Sequence, residues 1–383
     1  MEKKKAFLVV TGGRAVPNVL SLLWLQPHVV RVILSEQGWE YQQAFEDIAH
    51  SIPGCHIDII PNVDAYNFDI CLKACRNACS PYPDREWEWT FDITSAPKVT
   101  GIAAYEVAKE KGISCWHVDA QRDRHVSLVR PTEIDTTKFF HLTLDDYMRA
   151  QHRTWAIARG PTLNYRDVVK KWVNTAKALV TSSEAMELLK LLRDKKPSDV
   201  VSLPVHFASS SLLQLARSEG LLEVNKSHDG SMMCRFLSEE AARFMGTGDW
   251  LEFYVWHEAI NKGLADEFHC QWGCSIFDGP VKKELDLTLM YKAQLILAEC
   301  KTEQHPYDSK RGHLHKLQAK ANVLGGSYVC KLFITNQQAT GDSIQAFCQQ
   351  AEQYKIVVVT GEKLPEIGQI LEKEAMRPTY PRI

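Results

Sequence analysis

In the first 125 residues, short runs of β-branched and other apolar residues alternate with segments whose apolar residues recur at helical spacing. The runs predict strands in AFLVVT, VVRVILS, CHIDIIP, EWTFDITS and SCWHVDA. The intervals predict helices around 19–25, 41–50, 68–79 and 99–111. Nearly continuous apolar strands that alternate with helices indicate a parallel sheet covered on both faces. We therefore expect a doubly wound α/β domain over residues 1–135.

Two loops follow predicted strands at the edge of this sheet, where doubly wound sheets bind ligands. The loop TGGRAVPN supplies Thr11, and the loop DITSAPK supplies Thr94, Ser95 and Lys98. Hydroxyl groups, an ammonium group and the free N–H groups of helix N-termini favour an anionic ligand. Ser95 is equally well placed to cap the following helix, ahead of Pro97.

Residues 136–248 contain helical patterns and one predicted hairpin. The helical segments are EAMELLKLLRDKK and SSSLLQLARSEGLLEV, and LLEVNKSHDGSMMCRFLS holds two strand-like runs around turn residues. Helices followed by a wing-like hairpin resemble a winged helix. We interpret this part as a small, mainly helical connector.

From residue 249 onward the chain again alternates between helical and strand patterns. The helix WLEFYVWHEAINKG precedes several strands, and the strands YVCKLFIT and KIVVVTG alternate with helices near 310–324, in DSIQAFCQQAEQY and at the C-terminus. This order predicts a second α/β domain over residues 249–383. It shows no internal repeat of the first domain.

Charged residues interrupt two predicted strands of the second domain, ELDLTLM and AQLILAECKT. If a tight turn near Lys292 and Ala293 joins these strands, Asp286 lies opposite Glu299, and Lys301 projects from the same face as Glu299. A longer turn would shift this register, since Lys-Ala is not a favoured two-residue turn. The pattern predicts that two carboxylates and an ammonium group converge.

Two carboxylates at one point suit a hard divalent cation such as Mg²⁺ or Mn²⁺. The backbone carbonyl of Cys300 is placed to add a third oxygen ligand to those of Asp286 and Glu299. Lys301 would then orient or help deprotonate a metal-bound water that attacks a phosphodiester. The competing interpretation is a structural ion pair at the end of a sheet, which is the commoner explanation for an isolated trio of this kind.

Composition narrows the class of protein. The chain has 383 residues, 45% of them hydrophobic, which suits a globular protein of more than one domain. A net charge of -2 argues against a generally basic nucleic-acid coat, so any polyanion site must be local. The apolar run after MEKKK is short, and no run approaches the roughly 18 to 20 residues that span a bilayer. We expect a cytoplasmic protein without a membrane partner.

The eleven cysteines are scattered along the chain and predict reduced, buried thiols. Helical spacing in CLKACRNAC places three of them on one helix face, which favours core packing over a metal site: Cys71, Cys75 and Cys79. The segment HCQWGC contains another group that suggests zinc only weakly: His269, Cys270 and Cys274.

An acidic residue in a strand, followed by Glu-x-Lys in the next, resembles the PD-(D/E)xK restriction-endonuclease-like superfamily. Asp286 matches the Asp of that motif, Glu299 and Lys301 match its E-x-K, and Leu285 stands where the nominal proline would be. The resemblance implies that Glu252, in GDWLEFYVWHEA, is the supporting helical acid. It also implies that basic residues of the helix after the E-x-K strand steer substrate, namely Lys310, Arg311 and Lys316.

Across both halves, the order of elements and the segments GDWLE, ELDLTL, AECKT and NVLGGSYVCKLFIT resemble the CRISPR ancillary nucleases. These join an N-terminal CARF domain, a Rossmann-like sensor, to a restriction-endonuclease-like domain. The resemblance implies a homodimer that binds a cyclic oligoadenylate, most often the tetra-adenylate, and then cleaves DNA, RNA or both in type III CRISPR antiviral defence. The implied ligand-binding residues are Thr11, Gly12, Gly13, Arg14, Asn18, Thr94, Ser95 and Lys98.

The second loop, Ser-Ala-Pro-Lys, departs from the glycine-rich loop common in that family, so the ring size of the ligand stays open. Two other functions remain as alternatives. One is a nucleotide-responsive regulator whose middle segment binds DNA and whose nuclease-like domain is inactive, against which the intact Asp and Glu-x-Lys set argues. The other is a sensor domain that itself degrades its cyclic ligand.

Overall fold

The computed structural model describes residues 3–12, 15–82, 85–119, 124–130, 142–151, 156–158, 160–227, 231–292, 294–302, 306–307, 312–325, 329–339 and 342–380. The chain divides into two compact units. The first comprises Met1–Trp155 with Met290–Gln294, and the second comprises Ala156–Leu289 with Leu295–Ile383.

The first unit contains a six-stranded sheet in the order β3-β2-β1-β4-β5-β6. Its strands are β1 (Lys4–Thr11), β2 (Val29–Leu34), β3 (His56–Ile60), β4 (Trp87–Asp92), β5 (Ser114–Asp119) and β6 (Arg124–Ser127). Its helices are α1 (Val16–Leu25), α2 (Gln42–Ser51), α3 (Phe68–Cys79), α4 (Lys98–Lys111) and α5 (Leu144–Ala150). The pairs from β1 to β5 are parallel, and β6 is antiparallel to β5.

Helices cover both faces of this sheet. Side chains on both faces of its buried strands are therefore apolar. Ala6, Leu8 and Val10 of β1 share a buried cluster with residues of α3 and α4. On the opposite face, Phe7 of β1 and Trp24 of α1 each contact the ring of Trp116. The cysteines of α3 belong to the first of these clusters, which confirms that they are core residues: Cys71, Cys75 and Cys79.

The part of the second unit before residue 249 is mainly helical. Its helices are α6 (Leu163–Val169), α7 (Val173–Thr181), α8 (Ala185–Leu192), α9 (Ser211–Ser218) and α10 (Glu239–Ala241). The strands β8 (Val201–Leu203), β9 (Leu222–Lys226) and β10 (Met232–Phe236) form an antiparallel sheet in the order β8-β10-β9. The hairpin β9–β10 lies where the sequence predicted it, and β8 adds a strand that was not predicted.

The rest of the second unit is built on a six-stranded mixed sheet in the order β15-β14-β13-β12-β11-β7. Its strands are β7 (Ala156–Ala158), β11 (Cys270–Asp278), β12 (Val281–Tyr291), β13 (Gln294–Lys301), β14 (Cys330–Thr335) and β15 (Ile356–Val359). Its helices are α11 (Asp249–Asn261), α12 (His313–Val323), α13 (Asp342–Gln353) and α14 (Ile367–Met376). Strands β13, β14 and β15 are parallel, whereas β11 is antiparallel to both β12 and β7.

The predicted fold class, two α/β domains with helical structure between their sequences, is confirmed. The domain limits at residues 135 and 248 stay predictions. Strands β6 and β7 were missed, since each has only three or four residues. In the part of the chain that the structure describes, no helix is both long enough and apolar enough to cross a bilayer.

Candidate functional site

Three of the four predicted catalytic side chains lie on the two central strands of the sheet in the second unit. Asp286 on β12 is 8% exposed, and Glu299 on β13 is 3% exposed. Lys301, the last residue of β13, is partly buried. Because neighbouring strands place both carboxylates near one point, the predicted convergence of the three side chains is present in the structure.

The ammonium group of Lys301 is the centre of this arrangement. Its Nζ lies 2.9 Å from Oδ2 of Asp286 and 2.8 Å from Oε1 of Glu299. It also donates to the backbone oxygen of Cys300 at 3.0 Å, and the Cys300 N–H donates to Oδ2 of Asp286 at 2.9 Å. Asp286 is therefore held both by an ammonium group and by the backbone of the adjacent strand.

Opposite charges decide the ionisation of these buried groups. Burial alone would raise the pKa of Glu299, but the ammonium groups of Lys301 and Lys320 outweigh it and hold that pKa below its usual range. Burial alone would lower the pKa of Lys301, but Asp286 and Glu299 outweigh it and raise that pKa. At neutral pH Lys301 is an ammonium group, which suits the stabilisation and orientation of anionic groups better than the acceptance of a proton.

Glu252, the predicted supporting acid, projects from the first turn of α11 and is partly buried. Its carboxylate lies beside Gly273 of β11, where an added Cβ would be 3.7 Å from Oε2. Burial and the nearby carboxylate of Asp286 hold the pKa of Glu252 well above its usual range, although Lys301 acts in the opposite direction. The structure therefore brings Glu252 into the electrostatic environment of the other two acids.

A residue outside the sequence motif also reaches the site. Lys320, on α12, places its Nζ 2.5 Å from Oε2 of Glu299 and 3.7 Å from Oδ1 of Asp286. The sequence predicted substrate steering by the basic residues of this helix but did not place any of them against the carboxylates. The number of residues between Glu299 and Lys320 in the sequence cannot predict their contact, because the contact depends on how α12 packs against β13.

The oxygen atoms of the site fit a divalent cation. Oδ2 of Asp286, Oε1 of Glu299 and the carbonyl oxygen of Cys300 all lie within 3.0 Å of one point, the Nζ of Lys301. These are hard oxygen donors of the kind that Mg²⁺ and Mn²⁺ prefer. Among the described residues, no group of three His, Cys, Asp or Glu side chains could hold a metal. The remaining ligands of a cation here would be water or substrate oxygens.

The cysteines near β11 do not form a second candidate. Burial raises the pKa of Cys274 to about 11, so its thiol stays protonated at neutral pH. Nδ1 of His269 lies 2.6 Å from Oδ1 of Asp266. In the described part of this segment, no group of three His, Cys, Asp or Glu side chains could hold a metal.

Of the predicted substrate-steering residues, Lys316 is exposed on α12. Lys310 and Arg311 lie outside the described residues. The steering role of all three stays a prediction.

In the first unit, the two predicted ligand loops contact each other at the ends of β1 and β4. These strands are parallel neighbours, so Thr11 and the residues after Asp92 lie at the same edge of the sheet. The Gly12 N–H donates to the Ser95 carbonyl oxygen at 3.0 Å. A Cβ added to Gly12 would lie 2.3 Å from Cγ of Pro97, so only glycine fits at this position.

The predicted ligand residues differ in how accessible they are. Thr11 is 1% exposed and Asn18 is fully buried, so both lie beneath the loop surface. Oγ1 of Thr11 has no hydrogen-bond partner among the described residues. Ser95 is partly buried and Lys98 is exposed. Gly13 and Arg14 lie outside the described residues.

Thr94 is part of an internal network. Its N–H donates to Oδ1 of Asp92 at 2.9 Å, its hydroxyl donates to the same oxygen, and the hydroxyl accepts from the Val118 N–H at 2.9 Å. These bonds fix the second loop to β4 and β5. Thr94 therefore shapes the loop as well as lying in it.

A surface cavity of about 430 Å³ begins at this loop. Its lining includes Thr94, Lys98, Tyr105 and His117. The volume suits a single nucleotide, which is smaller than a cyclic oligonucleotide. Tyr105 and His117 were missed, because α4 and β5 carry no motif that marks them.

Asp92 gives this loop network a dependence on pH. Burial raises the pKa of Asp92, and the hydrogen bonds from Thr94 offset this effect only in part. The folded protein therefore keeps this proton to higher pH than the unfolded chain, whose Asp titrates near pH 4. The stability that Asp92 contributes is complete below about pH 4 and is lost as pH rises through the folded pKa.

Replacing Asp92 by asparagine should remove the loss of folding stability at higher pH, because asparagine has no ionisable proton and keeps one oxygen acceptor. We expect the melting temperature of the variant, relative to wild type, to rise as the pH increases above about 4. Thermal melts across this range measure the difference, and Asp47→Asn on the exposed face of α2 is the control. A difference that does not change with pH would contradict the ionisation argument.

The C-terminal part of the chain matches a known domain family. Residues 238–377 match the family model described as the Card1-like endonuclease domain. This segment contains all of the acids and both lysines of the site described above. The sequence has no significant match among the curated proteins.

Solved structures with the same fold span most of the chain. Can2 from Sulfobacillus thermosulfidooxidans, in complex with cyclic tetra-adenylate, is 17% identical with a TM-score of 0.69, over 97% of each chain. Protein VC1899 from Vibrio cholerae is 17% identical with a TM-score of 0.73, over 97% of this chain and 98% of that one. A type III CRISPR defence DNA nuclease activated by cyclic oligoadenylate is 14% identical with a TM-score of 0.56, over 100% of this chain and 53% of that one.

At these identities the likeness establishes the fold, which confirms the predicted order of a Rossmann-like domain followed by a second α/β domain. The family match adds that the second domain is similar to an endonuclease, since residues 238–377 carry the match to the Card1-like endonuclease domain.

Proposed function

We propose that the protein is a cytoplasmic, homodimeric, metal-dependent nuclease that a cyclic oligoadenylate activates in type III CRISPR defence. The observation that carries this proposal is the site at Asp286, Glu299 and Lys301 within a Card1-like endonuclease domain. The contacts of Lys301 alone would also suit a structural ion pair, and the match of residues 238–377 to an endonuclease domain is what favours a catalytic site.

Phosphodiester hydrolysis is the reaction that these groups favour. Asp286, Glu299 and the carbonyl of Cys300 would hold Mn²⁺ or Mg²⁺, which lowers the pKa of a bound water and offsets charge on the phosphoryl oxygens. Lys301, an ammonium group at neutral pH, would orient the attacking water and add positive charge near the phosphate. Glu252 would support this arrangement from α11.

The activator would bind at the two loops of the first unit. Lys98 stands at the start of α4, where backbone N–H groups and the helix dipole attract phosphate. The adjacent cavity would take one nucleotide of the ring, with Tyr105 and His117 at its wall. Cyclic tetra-adenylate is the first choice of activator, because Can2, which has this fold, was solved with that ligand.

A second copy of the chain is supported by an apolar surface on the first unit. Phe68 and Ile70 on α3 and Ile102 on α4 are 40%, 45% and 55% exposed. Phe68 and Ile102 line a groove that also holds Arg76 and Glu110, which form an ion pair 2.8 Å long. Apolar side chains at this exposure, with charged residues around them, are typical of protein interfaces.

The test is a cleavage assay with Mn²⁺ on labelled single-stranded DNA, labelled single-stranded RNA and supercoiled plasmid, with and without cyclic tetra-adenylate. We expect cleavage of at least one substrate only when the activator is present, and none with the Glu299→Ala protein. Activator binding without any cleavage would instead favour the regulator. Chromatography of the activator after incubation with Glu299→Ala shows whether the first domain degrades it.

A further inference from the structure

Lys320 gives the nuclease site a second ammonium group on the side away from Lys301. Lys301 lies against Oδ2 of Asp286 and Oε1 of Glu299, whereas Lys320 lies against Oδ1 and Oε2 of the same two residues. Each carboxylate therefore has a lysine at both of its oxygens. The side chain of Lys320 is 16% exposed, so solvent screens these interactions only weakly.

The charges of this four-residue cluster cancel. Two carboxylates with Lys301 alone would carry one net negative charge, and Lys320 brings the sum to zero. A divalent cation is drawn to a site by its negative charge, since the Coulomb energy is large where solvent is scarce. An ammonium group 2.5 Å from Glu299 therefore opposes metal binding as long as it stays there.

A phosphate of the nucleic acid changes this balance. It adds a negative charge to the site, and its oxygens accept strong hydrogen bonds from ammonium groups. Lys320 extends from α12, so its flexible side chain can exchange Glu299 for a phosphate oxygen. Both effects would take positive charge away from Glu299, so that the two carboxylates attract the cation more strongly.

We propose that Lys320 is a positioning residue that makes metal binding depend on the presence of the nucleic-acid backbone. Through Glu299, it keeps the affinity for the divalent cation low until a phosphodiester enters the site. The inference rests on the proposed nuclease function, because it takes the carboxylates as metal ligands. It adds a link between substrate and metal that the Asp and Glu-x-Lys set alone does not contain.

The experiment measures Mn²⁺ binding by the electron paramagnetic resonance of free Mn²⁺, with and without a cleavage-resistant phosphorothioate oligonucleotide. Wild type, Lys320→Met and Lys320→Arg are compared, and Lys190→Met, on the exposed face of α8, controls for the loss of one positive charge. Protein-free oligonucleotide gives the background. Thermal melts verify that each variant is folded.

We expect the oligonucleotide to tighten Mn²⁺ binding to wild type by about tenfold. Lys320→Met should bind Mn²⁺ alone about tenfold more tightly than wild type, with little further effect of the oligonucleotide. Lys320→Arg and Lys190→Met should behave like wild type. A folded Lys320→Met protein with the affinity and oligonucleotide response of wild type would overturn the inference.

Mn²⁺ binding by a Glu299→Gln protein distinguishes an error in the role of Lys320 from an error in the proposed function. If Glu299→Gln weakens Mn²⁺ binding but Lys320→Met leaves it unchanged, the metal site stands and only the role of Lys320 is wrong. If Glu299→Gln binds Mn²⁺ as wild type does, the assignment of the metal site is itself wrong, and the inference is overturned with it.

Discussion

Replacing Glu299 by glutamine is expected to lower kcat for activated cleavage by about 10³-fold or more, to the limit of detection, without changing the affinity for the activator. The substitution removes a carboxylate that is 3% exposed and that both lysines contact. It keeps the volume and one oxygen acceptor, so any loss of activity reflects the charge. Single-turnover cleavage at saturating cyclic tetra-adenylate and Mn²⁺ measures the effect, and calorimetry measures activator binding.

Lys301→Met should give a loss of similar size, because it removes the ammonium group that contacts both acids. Each variant also leaves a buried charge with fewer partners, which lowers stability. Circular dichroism melts and retained activator binding must therefore accompany the kinetics. Cleavage by a folded Glu299→Gln protein at more than about a tenth of the wild-type rate would move the catalytic site elsewhere.

Replacing Lys98 by alanine is expected to raise the activator concentration needed for half-maximal cleavage by about 10- to 100-fold, with maximal cleavage unchanged. The substitution removes the exposed ammonium group at the first residue of α4, beside the loop cavity. Because the side chain would bind the activator and does not belong to the nuclease cluster, excess activator should restore the full rate. Titration of cyclic tetra-adenylate against the cleavage rate gives both quantities.

Lys111→Ala, at the other end of α4, is the matched control, since it removes the same charge from an exposed position of the same helix. The effect of Lys98→Ala should also shrink at high ionic strength, where charge interactions at the surface are screened. Equal activation curves for Lys98→Ala and wild type would exclude Lys98 from the ligand site.

The fold was predictable where the hydrophobic pattern is strong. Strands β1 to β5 are apolar for most of their length and alternate with amphipathic helices, so both their number and their parallel order follow from the sequence. Strand β7 was not predictable, because its three residues form a strand only through pairing with the distant Ser275–Phe277 of β11. Strand β6, which pairs with the preceding β5, was missed because its four residues, RHVS, include only one apolar side chain.

Part of the candidate site was predictable, because three of its residues lie on two strands that follow each other in the sequence. Period two along β13 places Glu299 and Lys301 on one face, and β12 brings Asp286 to them. Lys320 was not predictable, since its contact depends on the packing of a helix. In the first unit, the pattern of hydroxyl groups predicted two ligand loops, which stay a prediction, and only the structure shows that Thr11 and Asn18 are buried.

The close approach of Gly12 to Pro97 has a consequence for the thermodynamics of activation. The absence of a Cβ at Gly12 allows the two loops to approach closely, and the hydrogen bond from Gly12 to Ser95 holds them together without a ligand. The proposed activator would therefore meet a preorganised rim, and its binding would not carry the entropic cost of ordering two separate loops. A gain in affinity of this kind comes from rigidity, without any additional contact to the ligand.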